Sequence, residues 1–138
     1  MAALTITAGN VLQAAGATTE VVTLGGTVTQ GQAVYEDTTT GTYKLADAND
    51  TVATSIIAGV SLTSGVATQK AVIVTGGNYN PGATVAVGTI YALDGAGVAG
   101  AIAPVADLGT GDWVSILGIA TTTSNILLKI NNSSVQVP

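Results

Sequence analysis

The sequence contains no Cys and no His. Thiol nucleophiles, disulfides, imidazole bases and His or Cys metal ligands are therefore excluded. Cationic side chains are nearly absent too. Lys and Arg together number 3, against 8 Asp and Glu, for a net charge of −5. A nucleic-acid partner needs a basic face to displace counterions from phosphate, so electrostatics oppose one here. Charge of either sign is scarce, at 8% of residues, against roughly 25% in an average globular domain. A coiled coil, with its charged heptad flanks, is excluded on that count. A disordered acidic tail is excluded by the 47% hydrophobic content. Aromatics are limited to one Trp and four Tyr, with no Phe. The longest uncharged apolar run, residues 95–106, is broken by Pro104 and is well short of the ~20 residues of a membrane helix. No membrane partner is expected. The first Lys is Lys44, so the N-terminus lacks the basic region of a secretory signal. A soluble protein made in the cytoplasm is the expectation.

What is abundant is Ala, Val, Thr and Gly. The 138 residues suit one domain, or two very small ones. Ala83-Thr84-Val85-Ala86-Val87, Val72-Ile73-Val74-Thr75 and Asn125-Ile126-Leu127-Leu128-Lys129-Ile130 are short β-branched or apolar runs closed by Gly or Asn, which is the signature of strands. Turn signals recur about every 8–12 residues, as in a sandwich or barrel. Asp94-Gly95 is a favoured type I′ pair, and Pro81-Gly82 fits the centre of a type II turn. The one helical candidate, Leu45-Ala46-Asp47-Ala48-Asn49-Asp50, is too short for more than a turn. The expected fold is all-β: a compact β-barrel or β-sandwich of short antiparallel strands, with an extended N-terminal arm over residues 1–19 and a β-rich domain over 20–138. The arm is small and polar over residues 8–19 and is expected to order against a partner or a neighbouring subunit; the alternative is a frayed terminus.

The chain echoes itself. Gly31-Gln32-Ala33-Val34-Tyr35-Glu36-Asp37 resembles Gly88-Thr89-Ile90-Tyr91-Ala92-Leu93-Asp94, and Ile57-Ala58-Gly59-Val60-Ser61 resembles Ile116-Leu117-Gly118-Ile119-Ala120. Two similar halves, about 27–76 and 84–132, would explain this. So would the general likeness of Gly-bounded strands in a chain of this composition.

Each candidate for chemistry has a plainer explanation. Glu20, Glu36, Asp37, Asp47, Asp50, Asp94, Asp107 and Asp112 are the acids. A glycosidase would use two carboxylates in a cleft, but so few aromatics do not build a carbohydrate cleft. Asp47-Ala48-Asn49-Asp50 begins like a calcium loop, which needs Gly at position 6 and Glu at position 12. Those positions hold Val52 and Ala58, so a polar turn is expected. Gly95-Ala96-Gly97-Val98-Ala99-Gly100 has dinucleotide-loop spacing, but Pro104 and the lack of a helical period exclude the helix that motif must open. Trp113, at a strand start, reads as a core or interface anchor. Tyr35 and Tyr43 are expected to pair across a hairpin, and Tyr79 to sit exposed in a turn. No enzyme is expected, and no catalytic, cofactor or metal residue is assigned.

Several of these segments together are similar to one family. They are Gly31–Asp37, then Tyr43-Lys44-Leu45-Ala46-Asp47-Ala48, Ala58-Gly59-Val60-Ser61-Leu62, Gly88-Thr89-Ile90-Tyr91, and Gly111-Asp112-Trp113-Val114-Ser115-Ile116-Leu117-Gly118-Ile119-Ala120. Across roughly residues 20–130 the pattern resembles the small decoration, or cement, proteins on the heads of tailed bacteriophages. The resemblance implies a β-rich fold and a homotrimer on the outer surface of the capsid. It implies a partner in the major capsid protein lattice, whose subunits it would bridge against the pressure of packaged DNA. It carries no active site. Receptor-binding or adhesive fibre modules are the alternative class. An ice-binding solenoid is disfavoured because Thr38–Thr40 and Thr121–Thr123 are clustered, not periodic.

Overall fold

The computed structural model describes residues 3–95 and 98–138. The fold is all-β, as expected, and its strands join into one sheet. They are β1 (Val11–Gln13), β2 (Thr18–Thr23), β3 (Ala33–Asp37), β4 (Thr42–Leu45), β5 (Gly59–Ser61), β6 (Lys70–Pro81), β7 (Ile90–Leu93), β8 (Ile102–Pro104), β9 (Trp113–Ala120) and β10 (Ile126–Gln136). Helical structure among the described residues amounts to 3₁₀ turns at Ala8–Asn10, Ala53–Ser55 and Val105–Asp107. None is long or apolar enough to cross a membrane.

The sheet runs β4-β3-β5-β6-β10-β9-β7-β8, with β1 and β2 added on β6. All strand pairs are antiparallel. The order reads alike from its two ends, and the registers match. Ala33 lies opposite Val60, and Val60 opposite Val74. At the other end Ile90 lies opposite Ile119, and Ile119 opposite Leu127. The approach to each row matches too. The Gly31 amide donates to Ser61 O, and the Gly88 amide to Ala120 O. Both glycines have positive φ, +93° and +83°, which side-chain-bearing residues rarely adopt. Gly59 and Gly118 also correspond. A Cβ on Gly59 would lie 2.6 Å from Val74 O, and one on Gly118 would strike Leu127 O.

The long β6 links the two ends by changing neighbours midway. Residues 70–76 pair with β2, and residues 73–74 also pair with β5. Residues 77–81 pair with β1 and β10. Gly76-Gly77 therefore does not close a turn. With β10 pairing residues 77–79 and β1 pairing residues 79–81, the chain passes straight on, and Tyr79, paired on both sides, is carried into the core instead of lying exposed. Other expectations shift for similar reasons. Residues 83–87 form no strand; the Val85 amide bonds Thr123 O and its side chain is buried. β10 continues past Asn131-Asn132 to Gln136, because β9 keeps pairing with it through two register shifts. β7 and β8 do pair, but residues 94–101 join them, so Asp94-Gly95 is not a two-residue turn. Ala96 and Gly97, from the glycine-spaced run, lie outside the described residues. Tyr35 lies opposite Lys44, and Tyr43 opposite Glu36. One residue of offset puts the two tyrosines on opposite faces.

Two cores result. The smaller gathers Val22, Leu24, Val28, Val34, Ala71 and Ile73 inside β2–β6. There β2 and β4 approach through a Leu24–Tyr43 bridge, and the Gly25 amide donates to Tyr43 O. The larger core combines Tyr91, Leu93, Ile102, Leu117, Ala120, Ile126 and Leu128 with Ala33, Ile57, Val60 and Val74 from the first half. Each fully buried large aliphatic contributes about 1.5–3 kcal/mol.

The segment expected to wait for a partner lies on this body. The Leu4 amide donates to Ile102 O, and the Thr7 amide to Gly82 O. Leu4 and Ile6 pack on the larger core. Val11 is 1% exposed. The boundary near residue 19 falls inside β2.

Candidate interaction surface

The carboxylates are dispersed. Glu20 on β2 and Glu36 on β3 are exposed. Asp37 accepts from Lys44 Nζ at 2.8 Å. That hydrogen bond holds the Asp37 carboxyl below its ordinary value and raises the Lys44 ammonium. Asp47 Oδ1 accepts from the Asn49 amide at 3.0 Å, the Asx turn expected there. Asp50 is exposed beside it. Asp94 and Asp112 are buried, and Asp112 Oδ2 takes the Gly109 amide at 2.8 Å. Asp107 closes the 3₁₀ turn after β8. Among the described residues, no three His, Cys, Asp or Glu gather into a group able to hold a metal. Trp113 begins β9 half-buried, its amide donating to Ala48 O.

The unusual feature is an outward apolar row. Ile90, Ile119 and Leu127 sit opposite one another across β7, β9 and β10. Ile116 joins them, and together with Lys129 and Asn131 they line a shallow depression of about 250 Å³. Ile90 is 41% exposed and Ile119 39%. A bulge creates this face: Tyr91 is opposite Gly118, but Ala92 is opposite Ile116, so β9 carries one extra residue. The bulge lets Leu117 point inward and Ile119 outward, though two residues apart. Strict alternation would place both on one face, so the row was not visible in the sequence beyond its bulk.

A second concavity has opposite chemistry. Thr5, Thr7, Asn10, Asn80, Thr84 and Thr123 help line an open cleft of about 480 Å³ with no charged residue. Nothing in the chain order signals it, because residues 5–12 and the end of β6 meet only in three dimensions.

No protein-family model matches the chain, and comparisons with curated proteins and with solved structures likewise find no match.

Proposed function

We propose that the chain is a structural virion protein that binds the outer surface of a phage capsid and reinforces the shell by bridging major capsid subunits. The observation that carries this reading is the continuity of the body: every strand belongs to one hydrogen-bonded sheet. A reinforcing part must resist deformation, and paired strands over close-packed cores do so. It needs no reactive group or cofactor. The resemblance over residues 20–130 supplies the phage context and the homotrimer. Three equivalent attachment points raise effective concentration, so modest contacts give lasting attachment. Binding to the assembled lattice in preference to dissociated subunits then stabilises the shell by mass action.

The test compares particles assembled with and without the protein on heating. Decorated particles should release DNA at a higher temperature, and equal release temperatures would remove the reinforcing role. The uncharged polar cleft favours a second reading, an adhesive or receptor-binding module of a phage fibre or tail. On that reading particles lacking the protein keep their thermal stability and lose adsorption to the host.

A further inference from the structure

The two ends of the sheet treat one surface position differently. Ala33, Val60 and Val74 form the outward row of the first half, and all three are 0% exposed. They are covered because the second half of the chain packs over them in the larger core. Their register counterparts in the second half are Ile90, Ile119 and Leu127. This row carries bulkier aliphatics, yet Ile90 and Ile119 remain exposed. On a sheet face left in water, alternation favours polar side chains. Here the larger apolar row is the one without a cover.

We infer that this face of β7, β9 and β10 is covered by a second copy of the same chain. Where the equivalent row is buried, what buries it is a β-surface of this same sequence. Local charge agrees. Lys44 pairs with Asp37 and Lys70 Nζ bonds Thr23 Oγ1, whereas Lys129, on the rim of the row, has no partner among the described residues. A second copy carries 8 Asp and Glu against 3 Lys, so a local carboxylate is available to pair with that ammonium, although the net charge of each copy opposes association. Edge pairing along β10 is a weaker route to the same partner. Past Leu128 that strand pairs, among the described residues, only with β9, through two register shifts, and such irregularities blunt an edge against further strands.

The inference rests on the reading of the chain as an assembling structural subunit, and its test separates the two. Ile119→Lys and, independently, Leu127→Thr are compared with the unaltered protein by sedimentation at micromolar concentration. Circular dichroism and thermal unfolding of each variant establish that it is folded. The unaltered protein should be oligomeric. Both variants should dissociate, with self-affinity weakened at least about tenfold, as for truncation of an interface anchor. An unaltered protein that is monomeric, or folded variants that stay fully assembled, would overturn the inference. Variants that stay assembled but no longer attach to particles would assign the face to the shell, leaving the reinforcing role in place. Dissociating variants combined with an unaltered protein that never protects particles would uphold the face and remove the shell.

Discussion

At the scale of single residues, Tyr79 departs furthest from what the chain suggests. Flanked by Asn78 and Asn80, it has the surroundings of a turn residue, yet it is wholly buried and its hydroxyl has no hydrogen-bond partner among the described residues. An unsatisfied buried hydroxyl costs about 1–3 kcal/mol. Tyr79→Phe removes that cost and keeps the ring, so stability measured by denaturant unfolding should hold or rise. A loss exceeding about 1 kcal/mol would mean that the hydroxyl is bonded. The same burial raises the phenol above its ordinary value. Its contribution to stability is therefore complete below the unfolded-state value of about 10 and is lost as pH climbs beyond it. Alkaline unfolding should begin in that range and weaken in the Phe variant. An unchanged alkaline limb would assign the transition to other groups, among them Tyr43, also raised by burial.

At the scale of elements, the β class was legible because β-branched runs and glycine punctuation are local. β3, β5 and β7 lie within segments read from the chain as repeating, and β9 ends in one. What local pattern could not reveal was exchange of partners. Gly76-Gly77 signals a turn, and only the presence of β1, β2 and β10 keeps β6 running through it. The apolar row was hidden for a related reason, since a bulge in β9 breaks the alternation that assigns faces. The N-terminal segment shows the same limit. It is poor in bulk, but its few large side chains are placed where β8 and the end of β6 offer backbone partners. Removing residues 1–9 deletes Leu4 and Ile6 from the larger core while keeping β1. The shortened protein should remain folded but lose about 2 kcal/mol, the worth of two half-buried aliphatics. Denaturant unfolding checks this. Unchanged stability would mean that residues 1–9 add nothing to the monomer and would return them to the role of an arm for a partner.

At the scale of the molecule, the question is whether the two halves act as one body. The first half holds a core of its own, but the larger core cannot be divided. Ala33, Val60 and Val74 of the first half close over Leu117, Ile126 and Leu128 of the second. Polar contacts cross at the same place. Asn132 Oδ1 accepts from the Ile57 amide at 2.9 Å, and its amide nitrogen donates to Ile57 O at 3.1 Å. The Ser115 hydroxyl donates to Ser55 O, and the Gly100 amide to Ala46 O. A part that bridges neighbouring subunits must pass load from one attachment to another, which requires such a join to be as firm as the halves themselves. The single Trp makes this measurable, because Trp113 lies in the second half. Val60→Ala cuts the larger core from the side of the first half and should cost about 1–3 kcal/mol, the scale of deleting buried methyl groups with incomplete relaxation. If the halves unfold together, Trp113 fluorescence and far-UV circular dichroism give coincident transitions, and both shift by the same amount in the variant. A Trp113 transition that stays in place while the dichroism splits would show two independently unfolding halves. The join would then be a hinge, and a hinged chain would tether neighbouring subunits without bracing them.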